Sequence, residues 1–277
     1  MDNRIWLITG ISSGLGKALA QSVMESGDFV IGTFRKAAQV SHFNDQYKDK
    51  GAAYQLDITQ EVAIEKTVDS IISRFGRIDV LVNNAGVGFA GAVEETSMAE
   101  VRSVFEANFF GTLKMTQVVL PYFRKSKAGH IMQISSHGGI KAFAGFGIYN
   151  ASKFALEGFS EALAQEVAPV GIKVSIVEPG PFRTQFAGDG LGMAQAVIAD
   201  YADTAGAFRA KLKGVHGKQE GDPSKAAKAI IDLVLAEKPS LRLPLGKTAM
   251  VTIGMKIDSV KSDLERNRAI AESAVYP

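Results

Sequence analysis

Tyr149 and Lys153 stand four residues apart in the segment Tyr-Asn-Ala-Ser-Lys, and Ser136 precedes the tyrosine by thirteen positions. A spacing of four places two side chains on one face of a helix. A lysine ammonium beside a phenol stabilises the phenolate, which lowers the tyrosine pKa from about 10 toward the pH range in which a general acid or base works. The same spacing is common on amphipathic helices, so the pair needs support from the rest of the chain.

A glycine-rich turn near the N-terminus supplies that support. Residues 9–16 read Thr-Gly-Ile-Ser-Ser-Gly-Leu-Gly, between a short apolar run and a segment of helical periodicity. Glycine allows a tight turn and a close approach to a pyrophosphate, and the following helix N-terminus offers amide donors. An ordinary tight turn is the alternative, but the flanking patterns favour dinucleotide binding. Together with the Tyr/Lys pair, the turn predicts a nicotinamide-dependent oxidoreductase.

Hydride transfer between a nicotinamide and a carbonyl or an alcohol requires a group that gives or takes a proton at the substrate oxygen. We predict that Tyr149 is this group and that Ser136 orients the oxygen through a hydrogen bond. Lys153 would lower the tyrosine pKa and hold the nicotinamide ribose. Asn108 is a poor helix former inside a helical pattern; it would either hold a water near Lys153 or simply face solvent.

Alternating strand and helix patterns predict the framework for these residues. Apolar runs indicate strands at 5–8, 29–34, 53–56, 80–82, 130–134, 174–177 and 240–243. Other patterns indicate helices at 15–24, 60–75 with Thr59 as N-cap, 97–126, 148–167, 226–235 and 247–270. This order predicts an α/β fold with one doubly wound, mostly parallel sheet of about seven strands and helices on both faces. Ligands bind at the carboxyl ends of such strands, where the candidate residues fall.

The chain shows no internal repeat, linker or low-complexity tract, so we predict a single dinucleotide-binding and catalytic domain over residues 1–277. Residues 185–220 are loosely patterned and rich in glycine and alanine. This composition predicts a mobile lid over the substrate. Residues 247–277 are expected to form a C-terminal helical tail.

The end of the second predicted strand bears on the choice between NAD and NADP. An acid there would bind the ribose 2′-hydroxyl and repel a 2′-phosphate. The sequence instead reads Thr-Phe-Arg35-Lys36. Arg35 can hold a phosphate through two hydrogen bonds, and Ser12 can donate another. Solvated surface charges are the alternative for Arg35 and Lys36, yet the missing acid favours NADP(H) over NAD(H).

Two further strand ends carry polar residues with open assignments. Asp57 can accept a hydrogen bond from the adenine amino group, or it can cap the next helix together with Thr59. The turn Asn83-Asn84-Ala85-Gly86 can support the cofactor, or it can hold a strand end together. The position of the turn at a strand end favours a contact with the cofactor.

These motifs together resemble those of the short-chain dehydrogenase/reductase family, in its classical, NADP-preferring type. The resemblance covers about residues 4–184 and includes Pro179-Gly180 and Thr184, which are similar to the segment that borders the nicotinamide. It implies a single Rossmann-like domain, dimers or tetramers, and a catalytic group made of Asn108, Ser136, Tyr149 and Lys153. It also implies that the cofactor contacts Gly10, Ser12, Ser13, Gly14, Leu15, Gly16, Arg35, Asp57, Ile58, Asn84, Ala85, Gly86, Tyr149, Lys153, Pro179, Gly180, Phe182 and Thr184.

Composition excludes several other classes of function. The chain has no cysteine, which rules out disulfides and thiolate chemistry. Its net charge of +2 gives no general attraction to nucleic acid. No run of residues is long enough for a signal peptide or a membrane span, so we expect a soluble cytoplasmic protein. The four histidines lack metal-ligand spacing and predict no metal site: His42, His130, His137 and His216.

Two rival functions remain open alongside the oxidoreductase. A non-catalytic NADP(H) sensor would not need the Ser/Tyr/Lys group, and a sugar-nucleotide epimerase would need a different glycine spacing. For the oxidoreductase, aromatic residues near the predicted site favour a bulky or apolar ketone, aldehyde or secondary alcohol, although these rings can equally be core or subunit contacts. They are Phe89, Phe143, Phe146, Phe182 and Phe186.

Overall fold

The computed structural model describes residues 3–188, 190–215 and 217–276. Its strands are β1 (Ile5–Ile8), β2 (Phe29–Phe34), β3 (Gly51–Gln55), β4 (Val80–Asn83), β5 (Gly88–Ala90), β6 (Gly129–Ile134), β7 (Ile172–Pro179), β8 (Leu191–Met193) and β9 (Arg242–Leu245). Its α-helices are α1 (Gly14–Glu25), α2 (Ala37–Gln46), α3 (Glu61–Phe75), α4 (Met98–Phe105), α5 (Gly111–Ser126), α6 (Gly147–Val167), α7 (Ala207–Gly214), α8 (Pro223–Leu235) and α9 (Lys247–Ser273). The ends of the predicted domain, the lid residue Asp189 and His216 lie outside the described residues.

Seven of these strands form one sheet in the order β3-β2-β1-β4-β6-β7-β9. Each neighbouring pair is parallel. The strand order reverses between β1 and β4, and a crevice opens at such a point outside the carboxyl ends of the strands. The glycine turn after β1 and the Asn83–Gly86 turn after β4 therefore meet at this crevice.

Two hydrophobic cores lie on opposite faces of the sheet. One packs α1 and α8 against strand residues such as Trp6 and Ile8. The other packs α3, α5 and α6 against the intervening residues, such as Leu7 and Leu81. Both sets are buried because successive strand side chains point to opposite faces, each covered by helices. The predicted α/β fold, with a parallel sheet of seven strands and helices on both faces, is confirmed.

Several predicted boundaries differ from the structure. Strand β3 begins two residues earlier than predicted, and β9 begins two residues later. Thr59 is not the N-cap of α3; that position belongs to Gln60, which makes no side-chain cap. The reason is local, because the Asp57 carboxylate accepts hydrogen bonds from the amide of Thr59 at 3.0 Å and from its hydroxyl at 2.8 Å. The sequence also gave no sign of the small parallel sheet formed by β5 and β8.

The helix predicted over 97–126 is interrupted. Its central residues, Glu106–Phe110, form a π-helical segment between α4 and α5. Such segments are rare and are found most often at functional sites. Asn108 lies inside this segment and is fully buried. The alternative that Asn108 faces solvent is therefore wrong.

His130 is buried in β6, where its Nε2 atom lies 3.0 Å from the Ser175 hydroxyl. Burial lowers its pKa to about 4, and Lys173 adds a smaller effect in the same direction. Between pH 6.5 and pH 4, His130 is therefore protonated in the unfolded state but neutral in the folded state. The stability from neutral His130 is present above pH 6.5 and is lost as the pH falls toward 4.

We expect His130→Gln to remove this part of the pH dependence. The difference in unfolding free energy between the wild type and the variant should change by about 3 kcal/mol between pH 7.5 and pH 4. Denaturant titrations at several pH values measure it. Exposed His42→Gln is the matched control. A difference for His130→Gln that is constant with pH would contradict the assignment.

Candidate active site

The glycine turn is held in shape by the neighbouring strand end. The Asn84 amide group donates to the carbonyls of Thr9 at 2.9 Å and Gly10 at 3.0 Å. The Thr9 hydroxyl in turn accepts from the backbone amides of Asn84 and Ala85, each at 3.0 Å. These four bonds join the ends of β1 and β4. The alternative that the Asn83–Gly86 turn holds a strand end together is thus realised, and a direct cofactor contact stays a prediction.

Glycine is required at three places in this turn. Gly10 has φ of 70°, in the left-handed region that side chains disfavour. Gly16 is required for a different reason, because a Cβ there would overlap the side-chain amide of Asn84. Gly14 also has a positive φ of 61°. The shape of the turn therefore depends on residues that no larger side chain could replace without rearrangement.

The start of α1 fits a cofactor pyrophosphate. Ser13 is the N-cap, but its side chain makes no capping hydrogen bond, and the first turn contains no acidic residue. The first-turn amides thus remain free of a side-chain cap, and this arrangement suits a bound anion. Ser12 and Ser13 are both exposed beside this turn. The residues present fit a dinucleotide, with its phosphates at α1.

Arg35 follows β2 directly, and its side chain is exposed at the same edge of the sheet. Its backbone carbonyl accepts a hydrogen bond from the Gln55 side chain at 3.0 Å. At Asp57, one carboxylate oxygen is used by Thr59 as described above. Its contact with adenine stays a prediction and would need the other oxygen. Neighbouring Ile58 is buried beneath this edge.

Tyr149, Lys153 and Ser136 come together as predicted, on α6 and at the end of β6. The Ser136 hydroxyl accepts from the Gly138 amide at 3.0 Å. Tyr149 is only 5% exposed, and burial raises its pKa to about 12, while a hydrogen bond with Ser136 opposes that rise. The Lys153 ammonium donates to the Ile134 carbonyl at 2.8 Å, and burial lowers its pKa to about 8.

The expected lowering of the Tyr149 pKa by Lys153 does not occur in this structure. The Lys153 nitrogen lies 6.0 Å from the centre of the Tyr149 ring and is bonded to Ile134 instead. The desolvation of the phenol therefore outweighs any stabilisation of the phenolate. Tyr149 is accordingly neutral at pH 7, which suits a proton donor.

The Asn108 side chain is hydrogen-bonded to Val87 and Ser152, and both lie near Tyr149 and Lys153. Its carbonyl oxygen accepts from the Val87 amide at 2.8 Å, and its nitrogen donates to the Val87 carbonyl at 2.9 Å and the Ser152 hydroxyl at 3.0 Å. Gly86 lies between Asn108 and Lys153, because a Cβ on Gly86 would be 3.0 Å from the Asn108 oxygen and 3.7 Å from the Lys153 nitrogen. Asn108 thus borders the lysine, and its part in a water relay stays a prediction.

The segment after β7 lies at the carboxyl ends of the strands, beside the glycine turn. The Gly180 amide donates to Leu245 at 2.8 Å, and Phe182 bridges to Gly221. Thr184 packs on the glycine turn, since a Cβ on Gly14 would lie 3.5 Å from its side chain. The predicted nicotinamide-bordering residues and the predicted phosphate turn are therefore adjacent.

Comparison with known proteins agrees with this geometry. The family model described as short chain dehydrogenase matches residues 4–191. A 3-ketodihydrosphingosine reductase from Bacteroides thetaiotaomicron is 40% identical over 254 residues, which cover 91% of each chain. The protein belongs to the short-chain dehydrogenase family.

Two solved structures extend the match to the whole fold. A short-chain dehydrogenase from Streptomyces avermitilis is 41% identical, with a TM-score of 0.93 over 99% of both chains. The protein ElxO, solved with NADP bound, is 26% identical, with a TM-score of 0.74 over 90% of this chain and 99% of its own. The resemblance to the family predicted from the motifs is thus confirmed.

Aromatic side chains cover the ring of Tyr149. Phe146 stacks on Tyr149 with ring centres 4.3 Å apart, and Phe186 meets its ring edge-on at 5.6 Å. Phe143 packs against the cluster that contains Phe146 and Tyr149 and also against His137, with ring centres 5.1 Å apart. The predicted aromatic border of the site is therefore formed mainly by Phe146, which directly precedes α6, and by Phe186 from the predicted lid.

A buried charged cluster behind Lys153 was not predicted. Glu157 is one helical turn after Lys153, and Arg242 lies 3.1 Å from both Glu157 and Glu178. Burial raises the pKa of both carboxyl groups, that of Glu178 to about 7. Glu157 acts in the opposite sense on Lys153, because its charge raises the lysine pKa. The spacing of four between Lys153 and Glu157 was the available sequence signal.

The predicted lid is attached to the body by a buried ion pair, which sequence reasoning also missed. Arg209 on α7 makes two hydrogen bonds to Glu95, at 2.6 and 3.1 Å, and the Glu95 side chain is fully buried. Backbone amides of Ala92 and Ile198 donate to the same carboxylate. These contacts lower the Glu95 pKa to about 2, and the hydrogen bond with Arg209 has the largest effect.

We expect Arg209→Met to lower the free energy of unfolding by about 3 kcal/mol, because it leaves the Glu95 carboxylate buried without its cation. Amide hydrogen exchange should rise over 191–214, where the lid packs against the body. Exposed Lys211→Met on the same helix is the control. Unchanged exchange in Arg209→Met would show that the pair does not hold the lid.

The described part of the chain offers neither a metal site nor a membrane-spanning helix. In residues 3–188, 190–215 and 217–276, no three side chains of the metal-binding types cluster closely enough to hold a metal ion. Over the same ranges, no helix combines the length and the apolar character that a membrane span requires.

Proposed function

We propose that this protein is an NADP(H)-dependent oxidoreductase that transfers a hydride between the nicotinamide and a carbonyl or secondary alcohol. One observation carries the proposal: Ser136, Tyr149 and Lys153 meet at the sheet edge where the glycine turn leaves α1 uncapped. A sensor would need the turn but has no use for a buried phenol beside a serine hydroxyl. The bound nicotinamide would supply the hydride, which the side chains cannot.

The chain's own residues would bind the cofactor, orient the substrate and transfer the proton. The glycine turn and the first amides of α1 would hold the pyrophosphate, and Arg35 with Ser12 would hold a 2′-phosphate. Ser136 would orient the substrate oxygen. Tyr149 would donate its proton to that oxygen, and its neutral state at pH 7 favours the reduction direction. Lys153, with a pKa of about 8, would return the proton.

A bulky, apolar substrate fits the surroundings of Tyr149. Besides Phe146 and Phe186, the apolar side chains packed around it include Leu191 and Met193 from β8. Walls of this kind favour a hydrocarbon body around a single polar centre. The name of the 40% identical reductase refers to a long-chain ketone, which has this character. We therefore propose a ketone with a long or bulky apolar substituent.

NADPH and NADH oxidation, followed by absorbance, tests this function. The substrates would be ketones in matched pairs, each long-chain compound beside a short-chain compound with the same reacting group. We expect turnover with NADPH and a higher kcat/KM for the long member of each pair. Preference for the short member would overturn the substrate class. Binding of neither cofactor would overturn the function altogether.

The sensor remains the second candidate because Tyr149 is nearly closed to solvent by its aromatic neighbours. A sensor would bind NADPH tightly yet oxidise it with none of the ketones. Phe186→Ala separates the two functions, since opening the covered phenol should raise the turnover of an enzyme with bulky ketones and leave a sensor inactive.

A further inference from the structure

Helix α9 extends far beyond its contacts with the body. It spans Lys247–Ser273, about 40 Å at 1.5 Å per residue. Ala249 is its buried residue, beside Gly180, and the Thr252 hydroxyl meets His137 at 2.9 Å. These anchors lie in the first two turns. Large apolar side chains are exposed along the whole helix, and they include Met250, Met255, Ile257, Val260, Leu264 and Ile270.

The spacing of five apolar residues on α9, four of them exposed and Ile253 half-buried, is that of a coiled coil. Met250, Ile253, Ile257, Val260 and Leu264 are separated alternately by three and four positions. This 3.5-residue repeat forms a narrow seam that another helix can cover, whereas a helix that packs on its own core shows a broader stripe. The sequence of α9 therefore specifies a helical partner.

Part of this seam faces α6 of the same chain, but the side chains of α6 leave an open space over it. Ile257, Val260 and Leu264 line an open apolar cavity of about 510 Å³, with Phe154 and Ile140 on its other side. Ile257 is 58% exposed and Leu264 is 67% exposed. Exposed apolar patches rimmed by charged residues mark interaction surfaces.

We propose that α9 pairs with α9 of a second copy of this chain, in antiparallel orientation. When Ile257 lies opposite Val260 of the second copy, Ile253 lies opposite its Leu264. Lys256, which flanks the seam, then falls beside Asp263 of the second copy. The two-fold symmetry of the pair repeats this contact, so the interface contains two equivalent ion pairs, each between Lys256 of one copy and Asp263 of the other.

A parallel pair fits the charges less well. It would bring Lys256 beside Lys261 of the other copy, which is repulsive, and Asp263 beside Arg268, which is attractive. The two contacts cancel, whereas the antiparallel alignment places Lys261 beside Gly254. Charge complementarity therefore selects the antiparallel homodimer.

Introduced cysteines test the pairing directly, because the chain has no cysteine of its own. Ile253→Cys and Leu264→Cys chains with different tags would be co-expressed and oxidised. We expect disulfide dimers between the two variants and none within either variant alone, since identical positions lie about 16 Å apart along the pair. Dimers formed by each variant alone would show a parallel pair. No dimer in any sample would overturn the proposal.

Charge reversal gives an independent test on the full chain. Lys256→Glu and Asp263→Lys should each raise the dissociation constant at least about tenfold in sedimentation equilibrium at low salt, and the double variant should restore it. Lys261→Glu should have no effect in the antiparallel pair. Unchanged association in all variants would contradict the proposal. A monomer that sediments with anionic phospholipid vesicles would also overturn it, because the surface would then bind lipid.

Discussion

Replacing Tyr149 with phenylalanine is expected to lower kcat about 10³-fold while NADPH binding changes less than about twofold. The Tyr149 phenol is hydrogen-bonded to Ser136, so its loss removes the proton donor from the substrate oxygen. The ring itself remains, together with its stacking on Phe146. Steady-state kinetics with the best ketone substrate, and fluorescence titration with NADPH, measure the two effects.

Tyr122→Phe is the matched control, because it removes a partly exposed phenol on α5 that is hydrogen-bonded to Asp69. It should leave kcat unchanged. If Tyr149→Phe kept more than about a tenth of the activity, Tyr149 would not be the proton donor. If both binding and turnover were lost, a folding defect would be indicated, and thermal unfolding of the variant would detect it.

Replacing Arg35 with aspartate is expected to lower kcat/KM for NADPH about 100-fold and to leave or raise that for NADH. The substitution replaces the Arg35 guanidinium with a carboxylate. That carboxylate would repel the 2′-phosphate of NADPH and accept a hydrogen bond from the 2′-hydroxyl of NADH. The effect should appear mainly in KM, because the 2′-phosphate is remote from the reacting atoms. Parallel assays with the two cofactors give the ratio.

Arg35→Gln separates charge from hydrogen bonding and should give an intermediate ratio. Arg4→Asp, at an exposed position on the opposite edge of the sheet, is the control for net charge. If the NADPH/NADH ratio were the same in Arg35→Asp and the wild type, Arg35 would not contact the 2′-phosphate. The cofactor preference would then have to come from another residue.

The sequence was sufficient for the parts of the site that depend on local spacing. Gly10, Gly14 and Gly16 marked the turn because only glycine suits such a conformation between a strand and a helix. Tyr149 and Lys153 were found because helical geometry makes their spacing meaningful. Alternating elements were enough to predict the parallel sheet.

Other features depend on contacts that spacing cannot reveal. The π-helical segment at Glu106–Phe110 lasts little more than one turn, too short to alter the periodicity of a long helix. The two residues of each pair formed by β5 and β8 lie about a hundred positions apart in the chain. Lys153 was expected to stabilise the phenolate of Tyr149, but the Ile134 carbonyl, which no side-chain pattern marks, holds the ammonium.

The bonds between Asn84 and the glycine turn also constrain the order in which this chain can fold. They span 74 and 75 positions of sequence, so the turn has no means of reaching its final shape while β4 is missing. A nascent chain that has emerged only as far as α3 would contain every glycine of the motif and still bind nucleotide poorly. Competence to bind nucleotide would therefore be acquired abruptly during synthesis, when Asn84 docks, rather than gradually as the first βαβ unit forms.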